Sequence, residues 1–140
     1  MRIEVTEDLA ACLAVRMAVF VAEQGYAAAE ELDGQDDRAI QILARDGARP
    51  VGTARVFVEG ETGRIGRVCV LPDRRGTGLG ADLMRAALKV LRGQPGVRRV
   101  TLSAQVRAMG FYEKLGFAGE GSDYDDGGVP HRDMVLNFHD

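Results

Sequence analysis

The sequence predicts an α/β fold, a mixed, mostly antiparallel twisted sheet with helices on both faces. Three observations predict it. Apolar and polar residues alternate in several short segments, among them Ala39 to Arg45 and Val51 to Val58, as they do in half-buried strands. Two stretches, Leu9 to Val21 and Leu79 to Arg92, instead place apolar residues at helical spacing. Short turns join some strands while helices separate others, so hairpins and crossovers belong to one sheet. With 140 residues, 46% of them hydrophobic, the chain makes one domain, residues 1–140, around a single core.

Ile3-Glu4-Val5 opens the first strand. Thr6 can cap a helix whose first turn holds Glu7 and Asp8, where carboxylates suit the positive end of the helix dipole. Leu9, Leu13, Met17, Phe20 and Val21 form its apolar stripe, and a polar loop runs from Gln24 to Asp37. The two alternating strands follow, around a turn at Asp46 to Pro50. Glu59 to Gly63 turns into the strand Ile65 to Leu71, which feeds a glycine-rich loop and the helix Leu79 to Arg92. Val97 to Ala104 is the next strand, with Val100 and Leu102 on one side. A short helix around Tyr112, a strand from Phe117, a loop from Asp123 to Pro130 and a strand Met134 to Phe138 finish the chain.

The loop Arg75-Gly76-Thr77-Gly78-Leu79-Gly80 carries the strongest chemical signal. Its glycines let the backbone turn tightly and approach a ligand without a Cβ in the way. Free N–H groups at a helix N-terminus suit a phosphate or pyrophosphate, and Arg74 and Arg75 can pair with its oxygens. The spacing formally fits a dinucleotide fingerprint, which also needs a carboxylate about twenty residues on. No Asp or Glu lies between Asp82 and Glu113, and no Lys-Ser or Lys-Thr follows the glycines as a P-loop requires. What remains is R-x-x-G-x-G, made by Arg75, Gly78 and Gly80.

With the preceding strand and Pro72, this resembles the coenzyme A loop of the GNAT superfamily of N-acetyltransferases. Ala108 to Phe117 is similar to that family's A-x-x-x-Y-x-x-x-G-F run, with Gly116 placed to end the helix. The element order matches as well. The resemblance implies that two central parallel strands, Ile65 to Leu71 and Val97 to Ala104, splay apart to admit pantetheine. It implies acetyl-CoA as co-substrate, bound by Val68, Cys69, Val70, Arg74, Arg75, Gly76, Thr77, Gly78, Leu79, Gly80, Gln105 and Tyr112. Tyr112 would protonate the departing thiolate; the alternative is an aromatic that only packs its helix on the sheet. Gln105 stands where the family often has Asn. Cys69 would lie near any bound thioester, but it is read first as a small buried strand residue.

The segment Arg16 to Asp36, with Ile65-Gly66-Arg67-Val68, Ala104-Gln105 and Asp126 to His131, looks like the ElaA-like acetyltransferases. Part of that pattern is similar to the acyl-homoserine-lactone synthases, which leaves acyl transfer of that kind as an alternative. A non-catalytic coenzyme A-binding module is another. The acceptor implied is a primary amine of a small molecule or peptide, and relatives that pair through exposed strands make a homodimer possible.

Charge follows the same division. Residues 64–99 hold nine Arg or Lys against Asp73 and Asp82, a surplus of seven in a chain of net charge −3. A basic rim attracts a polyanionic ligand. No aromatic residue interleaves with it and the sequence pI is about 5.4, which argues against nucleic acid. Glu23, Glu30, Glu31, Asp33, Asp36 and Asp37 form a stretch without a basic residue, and Glu120, Asp123, Asp125 and Asp126 form another. On the acceptor side of the cleft, Glu23, Glu31, Asp33 and His131 are candidates to bind an amine and take its proton, beside a water relay. The alternative is a set of solvated loops. Scattered carboxylates and one histidine do not make a metal signal, and His139 near the end adds none. No apolar run approaches the roughly twenty residues of a membrane span. The start Met1-Arg2-Ile3-Glu4 lacks a secretory core, so Cys12 and Cys69 are expected as free thiols of a cytoplasmic protein.

Overall fold

The computed structural model describes residues 1–138, so His139 lies outside the described residues. Strand β1 (Arg2–Thr6) leads into helix α1 (Leu9–Arg16). Asp8, not Thr6, caps that helix: its Oδ1 accepts from Ala11 N at 3.1 Å, while the Thr6 hydroxyl accepts from Asp8 N. Beyond Arg16 the helix widens into a π-helix, Met17–Glu23, with Gln24 N reaching Val19 O at 2.9 Å. The polar segment after it holds one helical turn, α2 (Ala28–Glu31), and a 3-10 turn at Asp36–Arg38, where a plain loop was expected. Four helical residues are too few to leave an apolar stripe in the sequence.

Strands β2 (Ile40–Asp46), β3 (Arg49–Glu59) and β4 (Thr62–Val70) form an antiparallel meander. Its turns are tighter than expected, at Gly47-Ala48 and Gly60-Glu61, because the flanking residues already pair. Helix α3 (Leu79–Arg92) spans its expected range. Strand β5 (Arg99–Gln105), helix α4 (Met109–Glu113) and the hairpin β6 (Ala118–Asp126) with β7 (Val129–Asn137) complete the order. Asp123, Asp125 and Asp126 stand in β6, not in the expected loop, since the hairpin turns at Gly127-Gly128.

The seven strands make one sheet in the order β1-β2-β3-β4-β5-β7-β6. β4 and β5 are parallel neighbours; the others pair antiparallel. The β4–β5 register runs only from Thr62–Arg99 to Arg64–Thr101, and beyond it the strands part. One face carries α3, whose Leu79, Leu83, Met84, Ala87 and Leu91 are buried among Ile42, Ala54, Val56, Ile65 and Val100. Gly63 lets that helix approach, since a Cβ there would stand 2.6 Å from Leu91 Cδ2. On the other face Val15 and Val19 pack with Cys69. Burying each such side chain is worth roughly 1.5–3 kcal/mol, so the two helix faces hold the sheet between them. Cys12 and Cys69 are buried and free. No helix among the described residues is long and apolar enough to cross a membrane.

Candidate active site

Two cavities open where β4 and β5 part. The larger, about 480 Å³, is walled by Phe20, Tyr26, Glu30, Glu31, Asp33, Asp126 and His131, among others. The smaller, about 310 Å³, lies over Cys69, Val70, Arg75, Gly80, Arg107 and Phe111. Gln24, Val68 and Tyr112 line both, so they form the neck between the chambers.

A bulge in β4 shapes that neck. The β3–β4 register shifts between Thr53 and Arg55, and Arg67 takes φ 52, a left-handed conformation uncommon outside glycine. Its side chain is anchored: Nε donates to Glu31 Oε2 at 2.7 Å and NH2 to Asp33 Oδ2 at 3.3 Å. Behind it lies a network invisible to sequence reasoning. Arg16, with no exposed surface, donates to Glu31 Oε2 at 2.8 and 3.1 Å and to Asp36 Oδ1 at 2.7 Å. Arg55, from the middle of β3, donates to Asp33 Oδ2 at 2.5 Å and Asp36 Oδ1 at 3.0 Å. Three guanidinium groups thus meet three carboxylates, the balance that buried charge requires.

Glu31 and Asp33 do wall the larger cavity, but their charges are already engaged by arginines. Hydrogen bonding from Arg55 holds the Asp33 carboxyl at about 2, far from the range of a proton acceptor at neutral pH. Glu23 is engaged too, accepting from Arg75 NH1 and NH2 at 2.6 and 2.5 Å. Those bonds lower its pKa below the ordinary carboxylate value.

The glycine loop has the form of an anion cradle. Gly76 and Gly78 adopt φ 76 and 85, which a side chain would strain. The N–H groups of Gly76, Thr77, Gly78, Leu79, Gly80 and Ala81 donate to no described residue. The Thr77 hydroxyl closes the loop by donating to Arg74 O at 2.5 Å. Leu79 turns its side chain into the core. Arg75 faces the smaller cavity, whereas Arg74 turns to an ion pair with Asp46 and lines neither.

Tyr112 stands at the neck with its ring edge-on to Phe111 and Phe117, at centroid distances of 5.0 and 6.3 Å. Burial pushes its hydroxyl up to about 12, so it keeps its proton at neutral pH. Burial likewise raises the Cys69 thiol, leaving it protonated and a poor nucleophile. The Gln105 amide is bonded to Gln24 and Arg107. His131 is buried, with Nδ1 2.8 Å from Val129 O and Nε2 3.9 Å from Asp126 Oδ2. A carbonyl only accepts, so Nδ1 carries the proton and Nε2 of the neutral ring holds the lone pair. Tyr26, Ser103 and Arg107 line the cavities without any motif or periodicity that marks them in the sequence. Among the described residues no group of His, Cys, Asp and Glu converges to hold a metal ion.

A family model described as an acetyltransferase (GNAT) domain matches residues 7–138. The chain is 35% identical over 130 residues to YjcF of Bacillus subtilis (strain 168), named an uncharacterized N-acetyltransferase, covering 92% of each chain. The crystal structure of Escherichia coli ElaA is 31% identical and superposes with a TM-score of 0.85 over 96% of this chain and 93% of that one. An aminoglycoside 6'-N-acetyltransferase crystallised with coenzyme A, 15% identical with a TM-score of 0.79 over 98% of this chain and 97% of that one, shares the fold. The chain belongs to the GNAT acetyltransferase family.

Proposed function

We propose that this protein transfers an acetyl group from acetyl-CoA to a primary amine of a small molecule or peptide by direct attack. The observation that carries the reading is the pair of chambers meeting at Gln24, Val68 and Tyr112. One chamber ends in uncommitted backbone amides and an arginine; the other holds the carboxylates and the histidine. The free N–H groups from Gly76 to Ala81 fit a diphosphate, and Arg75 is placed to pair with it once it leaves Glu23. Arg74 supports the same loop through its main chain, which accepts from Thr77. On the side of β4 that faces away from β3, main-chain groups from Val68 to Val70 run unpaired by β5 and are open to the pantetheine arm, although Val70 O accepts from Arg75 NH2 at 3.2 Å. Acetyl-CoA supplies the activated acyl group.

The protein's own groups then divide the proton work. A free alkyl amine has a pKa near roughly 10 and must lose a proton to attack at neutral pH. His131 Nε2 takes that proton in this reading, and the nearby Asp126 carboxylate stabilises the imidazolium that results. Glu31 and Asp33 act as fixed walls of the acceptor chamber, their charges matched by Arg16, Arg55 and Arg67. Tyr112, neutral because of its burial, gives its proton to the departing sulfur and regains one, through solvent, from the attacking nitrogen as the amide forms.

Thiol release from acetyl-CoA across a broad panel of primary amines tests the proposal, with calorimetric titration of coenzyme A alongside. Turnover with at least one amine is the expected result. Tight coenzyme A binding without turnover on any amine would instead make the chain a binding module. Arg75→Glu is expected to weaken coenzyme A far more than pantetheine, which lacks the phosphates.

A further inference from the structure

A run of side-chain hydrogen bonds enters the neck from the surface. Arg107 Nε donates to Gln105 Oε1 at 2.9 Å, and Gln105 Nε2 donates to Gln24 Oε1 at 3.0 Å. The polarity of this run is fixed by chemistry. A guanidinium only donates, so the Gln105 atom facing Arg107 is its oxygen, and its NH2 group must face Gln24. The Gln24 atom that meets this NH2 group is therefore an oxygen as well. The Gln24 NH2 group is left over. It donates to no described residue, and it is not among the buried polar atoms closed off from solvent. Its residue lines both chambers, so this uncommitted donor belongs to a residue of the neck. Gln24 is the residue that closes the π-helix, its N–H bonded to Val19 O, and such widened turns concentrate at functional sites.

Acyl transfer develops negative charge at two atoms, the carbonyl oxygen and the departing sulfur. The neck presents two side-chain donors, the Tyr112 hydroxyl and the Gln24 amide. Resting on the acetyl-transfer reading above, we infer that Gln24 Nε2–H donates to the thioester carbonyl oxygen of bound acetyl-CoA, with Gln105 and Arg107 as positioning residues that fix its orientation. The amine nitrogen forms a bond to the carbonyl carbon and the carbon–sulfur bond breaks. His131 already holds the proton of the ammonium; the sulfur receives the Tyr112 proton, and the proton that the nitrogen sheds as the amide forms passes through solvent to restore the Tyr112 hydroxyl. Gln24 transfers no proton; it stabilises charge on oxygen while the bonds exchange, as a preorganised donor does.

Isotope-edited infrared difference spectra of acetyl-CoA, labelled with ¹³C at the carbonyl and bound without any amine, test this directly. In the wild type the carbonyl stretch is expected below that of free acetyl-CoA. Gln24→Ala should return it toward the free value, with acetyl-CoA affinity changed less than about fivefold, since one neutral hydrogen bond is worth about 1 kcal/mol or less. If Gln24→Ala loses its circular dichroism, Gln24→Glu keeps the shape and takes its place. Gln105→Glu cannot donate to Gln24, so the Gln24 NH2 group turns toward the new carboxylate. It should reproduce the same spectral change, which a residue that only packs would not. With an amine found to be a substrate, kcat of Gln24→Ala should fall about 10²–10³-fold while KM for acetyl-CoA holds. Binding with an identical carbonyl stretch in wild type and Gln24→Ala overturns this inference and leaves the acetyl-transfer reading standing. A change in Gln24→Ala with none in Gln105→Glu overturns the positioning role. Failure of the wild type to bind acetyl-CoA at all overturns the acetyl-transfer reading, and this inference with it.

Discussion

Replacing Arg16 by Met removes one guanidinium from a balanced group of six charges. Arg16 has no exposed surface and the Glu31 side chain is 2% exposed, so water cannot take over the lost bonds. The variant keeps the carboxylates of Glu31, Asp33 and Asp36 but only Arg55 and Arg67 to match them. Removing one partner of a buried pair costs about 3–5 kcal/mol, because a charge stays behind unmatched. A folded domain is stable by only about 5–15 kcal/mol, so the loss takes a large part of the whole. At about 2.1 cal/mol/K of unfolding entropy per residue, the melting temperature should fall by roughly 10–17 °C. Urea unfolding followed by circular dichroism measures it, with the slope unchanged and the midpoint lowered. Arg16→Met combined with Glu31→Leu restores balance, since Arg67 keeps Asp33 and Arg55 keeps both aspartates. The double variant should therefore lose less than the sum of the two single changes. A loss under about 1 kcal/mol for Arg16→Met, or strict additivity in the cycle, would refute the claim that charge balance holds this loop to the sheet.

Tyr112→Phe should lower turnover by about 10²–10⁴-fold and leave coenzyme A affinity and the edge-on ring contacts in place; turnover within about twofold of wild type would assign Tyr112 to packing. With its hydroxyl held at about 12, wild-type turnover should show no loss through Tyr112 ionisation below about pH 11. Glu23→Gln frees Arg75 from an exposed, solvent-screened ion pair, so coenzyme A should bind only a few-fold tighter, less so at high salt; weaker binding would argue that Glu23 positions Arg75 instead. Asp33, held at about 2 against an ordinary 3.8, contributes stability that is present above about pH 4 and lost as pH falls toward 2. Its side chain is 23% exposed, which cuts the contribution to about 1 kcal/mol, and Asp33→Asn should remove that part of the acid dependence in urea midpoints.

How much the sequence discloses depends on whether the determining contact is local. The range Leu79–Arg92 of α3 is legible because its apolar stripe and the glycines before it act within a few residues. The glycine loop is legible for the same reason: its φ values demand glycine wherever the rest of the chain lies. The π-helix is not, because the stripe from Leu9 to Val21 looks the same whether the backbone widens or not. Arg16 and Arg55 are the clearest failure. They occupy positions that the helical spacing and the strand alternation would give to buried apolar residues, yet they carry charge. Their partners lie 15 to 22 residues away, and only tertiary structure brings these together. A run from Glu23 to Asp37 with no basic residue looks like solvated acid when its arginines come from other elements.

That pairing changes what the acidic stretch does for an amine. Counting carboxylates along the chain suggests a strongly anionic acceptor chamber. In the fold Glu23 answers Arg75, while Glu31, Asp33 and Asp36 answer Arg16, Arg55 and Arg67, so their fields largely cancel at any distance beyond the pairs themselves. Among the described residues the wall carboxylates without an arginine are Glu30 and Asp126, which reach the chamber from opposite ends of the chain. Attraction of a cationic acceptor in the proposed reaction therefore rests on these two residues. The paired set has a different task, holding Arg67 in its left-handed conformation at the bulge that sets the neck. The acidic loop is thus a structural clamp on the β4 bulge first, and in the proposed reaction a source of field for the acceptor only through the few charges the clamp leaves uncommitted.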